Sequence, residues 1–180
     1  MTIRYCDADL KSGDNDGTSW ANAYQTLQAA ADNAVAGDTV YCQGTDSIAA
    51  AIDFDTNSGT YNGGYIKFIG VKDGTTNAPP QASDYDSGNG DSGYFIIDGQ
   101  GNAITGIQAG TTIDYIWLEN FKIHSCDGTA GAAATAACDK WIFNNVWFHD
   151  NDGYGLDGSY FYDAMLFRCK FTSNTGDGIY

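Results

Sequence analysis

At 180 residues the chain is long enough to bury the core of one domain, and its 43% hydrophobic and 14% aromatic content argues against disorder. The 23 acidic residues outnumber the 8 basic ones, and the resulting net charge of −15 repels nucleic acid and anionic membrane surfaces while suiting high salt, divalent cations or neutral partners. No apolar run approaches the roughly 18 residues that a membrane-spanning helix needs, so we expect no membrane insertion.

The first part of the chain reads as strand, turn, helix and strand. Residues 4–6 and 38–42 have strand character, and the stretch after the first strand is dense in turn-forming residues. Helical spacing predicts a helix over residues 26–36, with Thr26 as its N-cap and Gly37 as its C-terminal cap. The apolar stripe of this helix comprises Leu27, Ala30, Ala31, Ala34 and Val35.

Two apolar segments follow, at residues 65–69 and 94–99, and we interpret them as strands. Residues 72–93 between them contain Pro79 and Pro80 with several Asp and Gly, which predicts a long surface loop.

An internal repeat occupies the C-terminal third. Residues 116–124 align without gaps on residues 141–149, 25 positions later. A further shift of 23 positions carries Asn151, Gly153, Gly155 and Leu156 onto Asn174, Gly176, Gly178 and Ile179. A period in the twenties with strand-type alternation is typical of a parallel β-solenoid, in which each coil buries its apolar face only by stacking on a neighbour.

In this register, side-chain alternation sorts residues into inward and outward columns. The expected inward columns are Ile116, Trp141 and Ala164; Leu118, Phe143 and Leu166; Phe121, Val146 and Cys169; and Ile123, Phe148 and Phe171. Asn120 and Asn145 are expected at one bend, and Asn151 and Asn174 at another, where side-chain amides can satisfy backbone groups that leave the ladder. Arg168 takes the third place at the first bend and departs from this pattern.

Residues 17–24 (GTSWANAY), 26–30 (TLQAA) and 36–40 (AGDTV) together resemble the N-terminal cap of pectate-lyase-like right-handed parallel β-helices. The resemblance implies an all-β right-handed parallel β-helix (β-solenoid) with one short N-terminal capping α-helix. Residues 1–45 would form the cap and residues 46–180 the first coils of a single domain, with a C-terminal end that lacks a cap. It implies little about chemistry, because this superfamily contains lyases, hydrolases, epimerases, phage tailspikes and surface proteins without known activity.

One outward column is apolar and contains Trp117, Ile142 and Met165, with Phe167 near it. An exposed apolar strip of this kind indicates a covered or partnered face. It predicts either a self-association interface, as in tailspikes, or a surface covered by the alanine-rich residues 129–137.

A second outward column contains Lys122, Trp147 and Lys170, beside His124 and His149. An aromatic face can bury the apolar side of a pyranose while polar neighbours bind its hydroxyls, so this set is a candidate carbohydrate-binding surface. The alternative is an ordinary exposed sheet face.

A third candidate site is a set of aspartates on glycine-rich loops, namely Asp150, Asp152, Asp157 and Asp177. Oxygen ligands on such loops suit calcium, and paired carboxylates suit glycoside hydrolysis. The calcium-loop pattern is incomplete, so solvated turn aspartates are the alternative.

No catalytic residues can be assigned. Polygalacturonase-type signatures are absent from the sequence, basic residues are scattered, and the single glutamate, Glu119, excludes a Glu/Glu pair. We therefore expect an extracellular, cell-surface or virion-associated structural or binding protein that self-associates and binds polysaccharide. The alternative is the N-terminal part of a polysaccharide lyase or glycoside hydrolase.

The five cysteines show no metal-binding spacing. The cap resemblance places Cys6 and Cys42 close together, either as a disulfide or as two small buried residues.

Overall fold

The computed structural model describes residues 1–85 and 93–180. It is all-β apart from one α-helix and two short 3-10 turns, at Trp20–Asn22 and Ala82–Asp84. The helix is α1 (Leu27–Asn33). The strands are β1 (Ile3–Asp7), β2 (Thr39–Gln43), β3 (Thr45–Ser47), β4 (Ile52–Asp53), β5 (Ile66–Gly70), β6 (Phe95–Asn102), β7 (Ile107–Ala109), β8 (Ile116–Glu119), β9 (Phe121–Cys126), β10 (Ala130–Ala134), β11 (Cys138–Asp139), β12 (Ile142–Asn144), β13 (Trp147–His149), β14 (Tyr154–Asp157), β15 (Phe161–Tyr162), β16 (Met165–Phe167) and β17 (Lys170–Thr172).

The strands form stacked parallel sheets. Sheet 1 has the order β1-β2-β5-β8-β12-β16, sheet 2 the order β3-β6-β9-β13-β17, and sheet 3 the order β4-β7-β10-β14. A short pair, β11-β15, completes the set. From β2 onward the chain passes through the three sheets in the same order each time, and we call each such passage a repeat. This arrangement is compatible with a parallel β-helix.

The register of the repeats is the predicted one. Phe143 pairs with Leu118 in sheet 1, and Phe148 pairs with Ile123 in sheet 2, as the shift of 25 positions requires. The shift of 23 holds for the next repeat, in which Leu156 bridges Ile179 in parallel. The inward side chains of the first two repeats in each column are fully buried, whereas Leu166 in the last is 37% exposed.

Asparagine ladders stabilise the bends. Asn120 and Asn145 have positive φ, and the Asn145 amide donates to Asn120 Oδ1 at 2.8 Å, while the Asn120 amide donates to the Gly70 carbonyl at 3.2 Å. At the next bend Asn151 Nδ2 donates to Asn174 Oδ1 at 2.9 Å. Asparagine tolerates the left-handed conformation and satisfies backbone groups there, so the predicted role of these residues is confirmed.

Helix α1 is shorter than the predicted span 26–36. Thr26 is its N-cap, accepting from the Ala29 amide at 3.1 Å, but Ala34 is already extended. Gly37 therefore does not cap the helix; it has φ +87° in the turn before β2, where a Cβ would lie 2.6 Å from the Gly63 carbonyl oxygen. Val35 lies outside the helix and is 50% exposed, so its place in the apolar stripe was wrong.

Asp38 explains the early end of the helix. Its buried carboxylate accepts from the Val35 amide at 3.3 Å, the Thr2 amide at 3.1 Å and Arg4 Nε at 3.0 Å. These bonds hold the chain in a turn that joins the helix to β1 and β2. The partner residues are distant in sequence, and helical periodicity alone does not reveal them.

The alanine-rich residues 129–137 do not cover the Trp117 column. Ala130–Ala134 forms β10, which is hydrogen-bonded between β7 and β14 in sheet 3 and fully buried. The alternative reading of this segment was therefore wrong. Of the predicted loop 72–93, residues 72–85 contain a 3-10 turn and residues 86–92 lie outside the described residues.

Cys6 and Cys42 are register partners on β1 and β2, and both are buried free thiols. The neighbouring Cys42 thiol and burial raise the pKa of Cys6 well above its usual value. No helix of the described residues is long and apolar enough to cross a membrane.

Candidate functional site

The outward face of sheet 2 brings together the predicted carbohydrate-binding residues. Register pairing places Lys122 beside Trp147, and His124 beside His149, on adjacent strands β9 and β13. Strand β17 adds Lys170 beside Trp147, and β6 adds Asp98 beside His124. Because side chains alternate along each strand, both columns project from the same face. We call this surface the sheet 2 face.

Trp147 lies between two cations. Lys122 Nζ is 4.7 Å and Lys170 Nζ 5.4 Å from the indole centroid, and they approach from opposite sides because β9 and β17 flank β13. The indole Nε1 donates to Thr172 Oγ1 at 2.8 Å. The ring thus positions ammonium groups by cation–π contacts more than it offers a free stacking platform.

The two imidazoles stack on each other, with centroids 4.8 Å apart and planes 13° from parallel. His124 Nδ1 lies 2.9 Å from Ser125 Oγ and 3.8 Å from Asp98 Oδ1. Burial lowers the pKa of His124, and the nearby His149 and Lys122 also lower it, against the opposing effect of Asp98. The neutral imidazole is therefore favoured at neutral pH.

His149 is held by the neighbouring carboxylate, with Nδ1 2.6 Å from Asp150 Oδ2. This hydrogen bond lowers the pKa of Asp150. The second ring nitrogen of His149, Nε2, is buried and has no hydrogen-bond partner among the described residues. The Trp147 ring also contacts His149, with centroids 4.5 Å apart.

The four predicted calcium aspartates do not form one group. Asp150 and Asp152 line a polar cleft of about 370 Å³, where Thr175 Oγ1 donates to Asp152 Oδ1 at 3.0 Å. Asp157 is on β14, and Asp177 is absent from this cleft. Within residues 1–85 and 93–180, no three His, Cys, Asp or Glu side chains lie close enough together to hold a metal ion. The structure therefore gives the calcium prediction no support.

The predicted interface residues line one groove on the outside of sheet 1. Its volume is about 430 Å³, and its lining residues are Trp117, Ile142, Asn144, Met165, Phe167 and Arg168. Met165 is 44% and Phe167 55% exposed, while Ile142 is buried between its neighbours. Trp117 is fixed by a bond from Nε1 to Glu119 Oε2 at 2.9 Å, and Lys67 Nζ lies 5.2 Å from its ring centroid. We call this surface the sheet 1 groove.

Sequence reasoning missed Asp98 as a member of the sheet 2 face. The sequence does contain a signal for it. Aligning the preceding apolar segment so that Ile97 matches Ile123 places Asp98 beside His124. The preceding repeat was not aligned because the long segment before β6 hides the period.

Searches of protein-family models, of curated proteins and of solved structures find no match to this chain.

Proposed function

We propose that this chain comprises the N-terminal cap and first coils of a right-handed parallel β-helix similar to the pectate-lyase-like proteins. The support is the repeated passage through three parallel sheets in one order, with a constant register between Leu118 and Phe143 and between Ile123 and Phe148. The early helix α1, capped by Thr26, agrees with the cap that the resemblance implies. On this proposal the chain is a structural and binding protein on the exterior of a cell or virion.

The ligand that the sheet 2 face suits best is a polysaccharide bearing uronate carboxylates. The observation that carries this proposal is Trp147 flanked by the ammonium groups of Lys122 and Lys170 at 4.7 and 5.4 Å. Lys170 is exposed, whereas Lys122 is buried beneath the surface and adds positive charge from below. An exposed ammonium group backed by a second one matches a sugar with a carboxylate better than a neutral sugar.

The chain's net charge of −15 opposes an anionic ligand at long range. At physiological ionic strength charges beyond about 8 Å are largely screened, so the groups in direct contact decide the binding free energy. Those groups include Lys170, which is exposed, and His124, which is partly exposed.

Calorimetric titration with a uronic-acid octasaccharide at 150 mM salt tests this proposal, with a neutral octasaccharide as the comparison ligand. Trp147→Ala should weaken uronate binding about tenfold, because the lysines lose the ring that positions them, and Lys170→Ala should weaken it about two- to fivefold. Lys11→Ala is the matched control, since it removes one positive charge away from the face. Equal binding of both octasaccharides, or an equal loss in the Lys11 variant, would contradict the proposal.

The alternative function is catalytic, as the N-terminal part of a polysaccharide lyase or glycoside hydrolase. The close approach of Asp150 to His149, 2.6 Å between Oδ2 and Nδ1, is the observation that favours it, because such a pair can transfer protons. Product detection after incubation with uronic-acid and neutral polysaccharides, with and without calcium, separates the two. If the chain turns over a polysaccharide and Asp150→Ala abolishes that turnover, the catalytic function replaces the binding function as the proposal.

A second binding role is self-association through the sheet 1 groove. The exposed side chains of Met165 and Phe167 beside Trp117 favour it, because large apolar groups gain free energy when a second copy removes them from water.

A further inference from the structure

We propose that His124 makes the sheet 2 face a pH-dependent binding surface, which binds uronate more tightly when this imidazole is protonated. The inference rests on the proposed polysaccharide binding and adds its regulation. It follows from the placement of an ionisable, partly exposed ring on the same face as Lys122, Trp147 and Lys170.

The groups around His124 come from three strands. Asp98 on β6 faces Nδ1 at 3.8 Å, and Ser125 on its own strand β9 lies at 2.9 Å. Strand β13 contributes the stacked His149 ring at 4.8 Å, with Asp150 bound to its far side. Lys122 lies two residues before His124 on the same face of β9. Burial, His149 and Lys122 therefore oppose a proton on His124, while Asp98 and, more weakly, Asp150 favour it.

A bound carboxylate changes this balance. It would compensate the charge of a protonated His124, so ligand binding and proton uptake stabilise each other. By linkage the two effects are equal: the factor by which protonation tightens binding is the factor by which binding favours protonation.

The direction and pH window follow from the chemistry. His124 has a lowered pKa, so it gains its proton only as the pH falls below about 6.5, the ordinary value for histidine. Sugar carboxylates remain ionised there, because carboxylic acids titrate near pH 4. The chain has two histidines, whose ordinary pKa alone among side chains falls between pH 5 and 8.

Titrating the uronic-acid octasaccharide into the whole chain at pH 5.5 and 8.0 tests the inference. We expect binding roughly two- to fivefold tighter at pH 5.5, the size of one partly screened charge contact. Proton NMR of the two imidazole C2–H signals should show the His124 midpoint moving to higher pH when the octasaccharide is bound. His124→Gln should remove the pH dependence while keeping residual binding through Lys170.

Asp98→Asn provides the second variant. The amide keeps the oxygen that accepts from the Gln100 amide at 2.9 Å but loses the charge that favours the imidazolium. The pH profile should therefore move to lower pH, an effect that a merely structural role would not produce. Unchanged wild-type affinity between pH 5.5 and 8.0, or full pH dependence in His124→Gln, would overturn this inference and leave the proposed polysaccharide binding standing. Absence of octasaccharide binding at both pH values would instead remove the proposed function and this inference with it.

Discussion

Asn151 shows how much of the backbone at one bend depends on a single side chain. Its Oδ1 accepts from the Cys126 amide at 3.1 Å, and its Nδ2 donates to the Ile123 carbonyl at 3.3 Å and to Asn174 Oδ1 at 2.9 Å. The residue is 1% exposed, so water cannot replace these bonds. The side chain thus ties three successive repeats together.

Asn151→Ala should lower the free energy of unfolding by about 1–3 kcal/mol, because it removes three buried hydrogen bonds, including the one that the Cys126 amide donates. Urea denaturation measures this loss. Asn33→Ala is the control: its Nδ2 bonds the Ala29 carbonyl at 2.9 Å at an exposed helix end, and its loss should cost no more than about 0.5 kcal/mol. A similar loss of unfolding free energy in both variants would show that the buried asparagine ladder stabilises the fold no more than an exposed hydrogen bond does.

At this scale the sequence predicted the ladders but not every site residue. Asn120, Asn145, Asn151 and Asn174 were predictable because repetition itself marks positions with a shared backbone requirement. The bonds of Asp38 were not, because its partners Thr2 and Arg4 are brought to it only by the pairing of β1 with β2. The register places His124 beside His149, but it does not give the orientation of the two rings, which the structure shows to be stacked.

Strand β10 illustrates what pattern reading misses at the scale of an element. Alanine and glycine have low strand propensity, so residues 130–134 read as an insertion. The small size of Gly131 is nevertheless required, because its backbone passes close to a carbonyl group of the neighbouring repeat. At one position of this sheet a Cβ on Gly106 would lie 2.6 Å from the Gly131 oxygen, and one on Gly131 would lie 2.8 Å from the Gly155 oxygen.

Gly131→Ala should therefore destabilise the fold by about 1–3 kcal/mol, because the added methyl group meets backbone on one side and the Phe148 ring at 3.0 Å on the other. Gly110→Ala is the matched control, since its Cβ would have only Gln108 Nε2 within 4 Å, at 3.8 Å. Thermal unfolding followed by circular dichroism compares the two. A loss in Gly110→Ala as large as that in Gly131→Ala would argue against close approach as the cause.

The stacking of repeats was the most predictable property of the whole molecule. Two aligned segments gave the register of sheets 1 and 2, because apolar residues at Leu118, Phe143 and Ile123, Phe148 must share one interior. In the third sheet the pairing of Leu156 with Ile179 was predictable from the shift of 23, but the earlier strands were not, since strands as short as Ile52–Asp53 carry no period of their own. The two outward columns were predictable from the register, but the approach of Lys122 and Lys170 to the Trp147 ring required the structure.

Self-association through the sheet 1 groove is a prediction about the whole molecule. Met165→Asp should yield smaller particles in light scattering, because a carboxylate in the groove would have to be desolvated against Trp117 and Phe167. Tyr61→Asp is the control: this side chain is 86% exposed and lies outside the groove. An unchanged particle mass in Met165→Asp would remove the groove as an interface.

The similar spacing of paired strands in the last repeats, 25 residues from Leu118 to Phe143 and 23 from Phe143 to Leu166, also bears on how such a chain can lengthen. Each repeat packs mainly on the two beside it, and Leu118 and Phe143 occupy equivalent positions 25 residues apart. An in-frame duplication of residues 120–144 would therefore deliver new strands in register with both flanking segments and with an asparagine at the same bend. Growth by copied units requires no redesign of the existing interior, so tandem duplication is a genetic route open to this architecture.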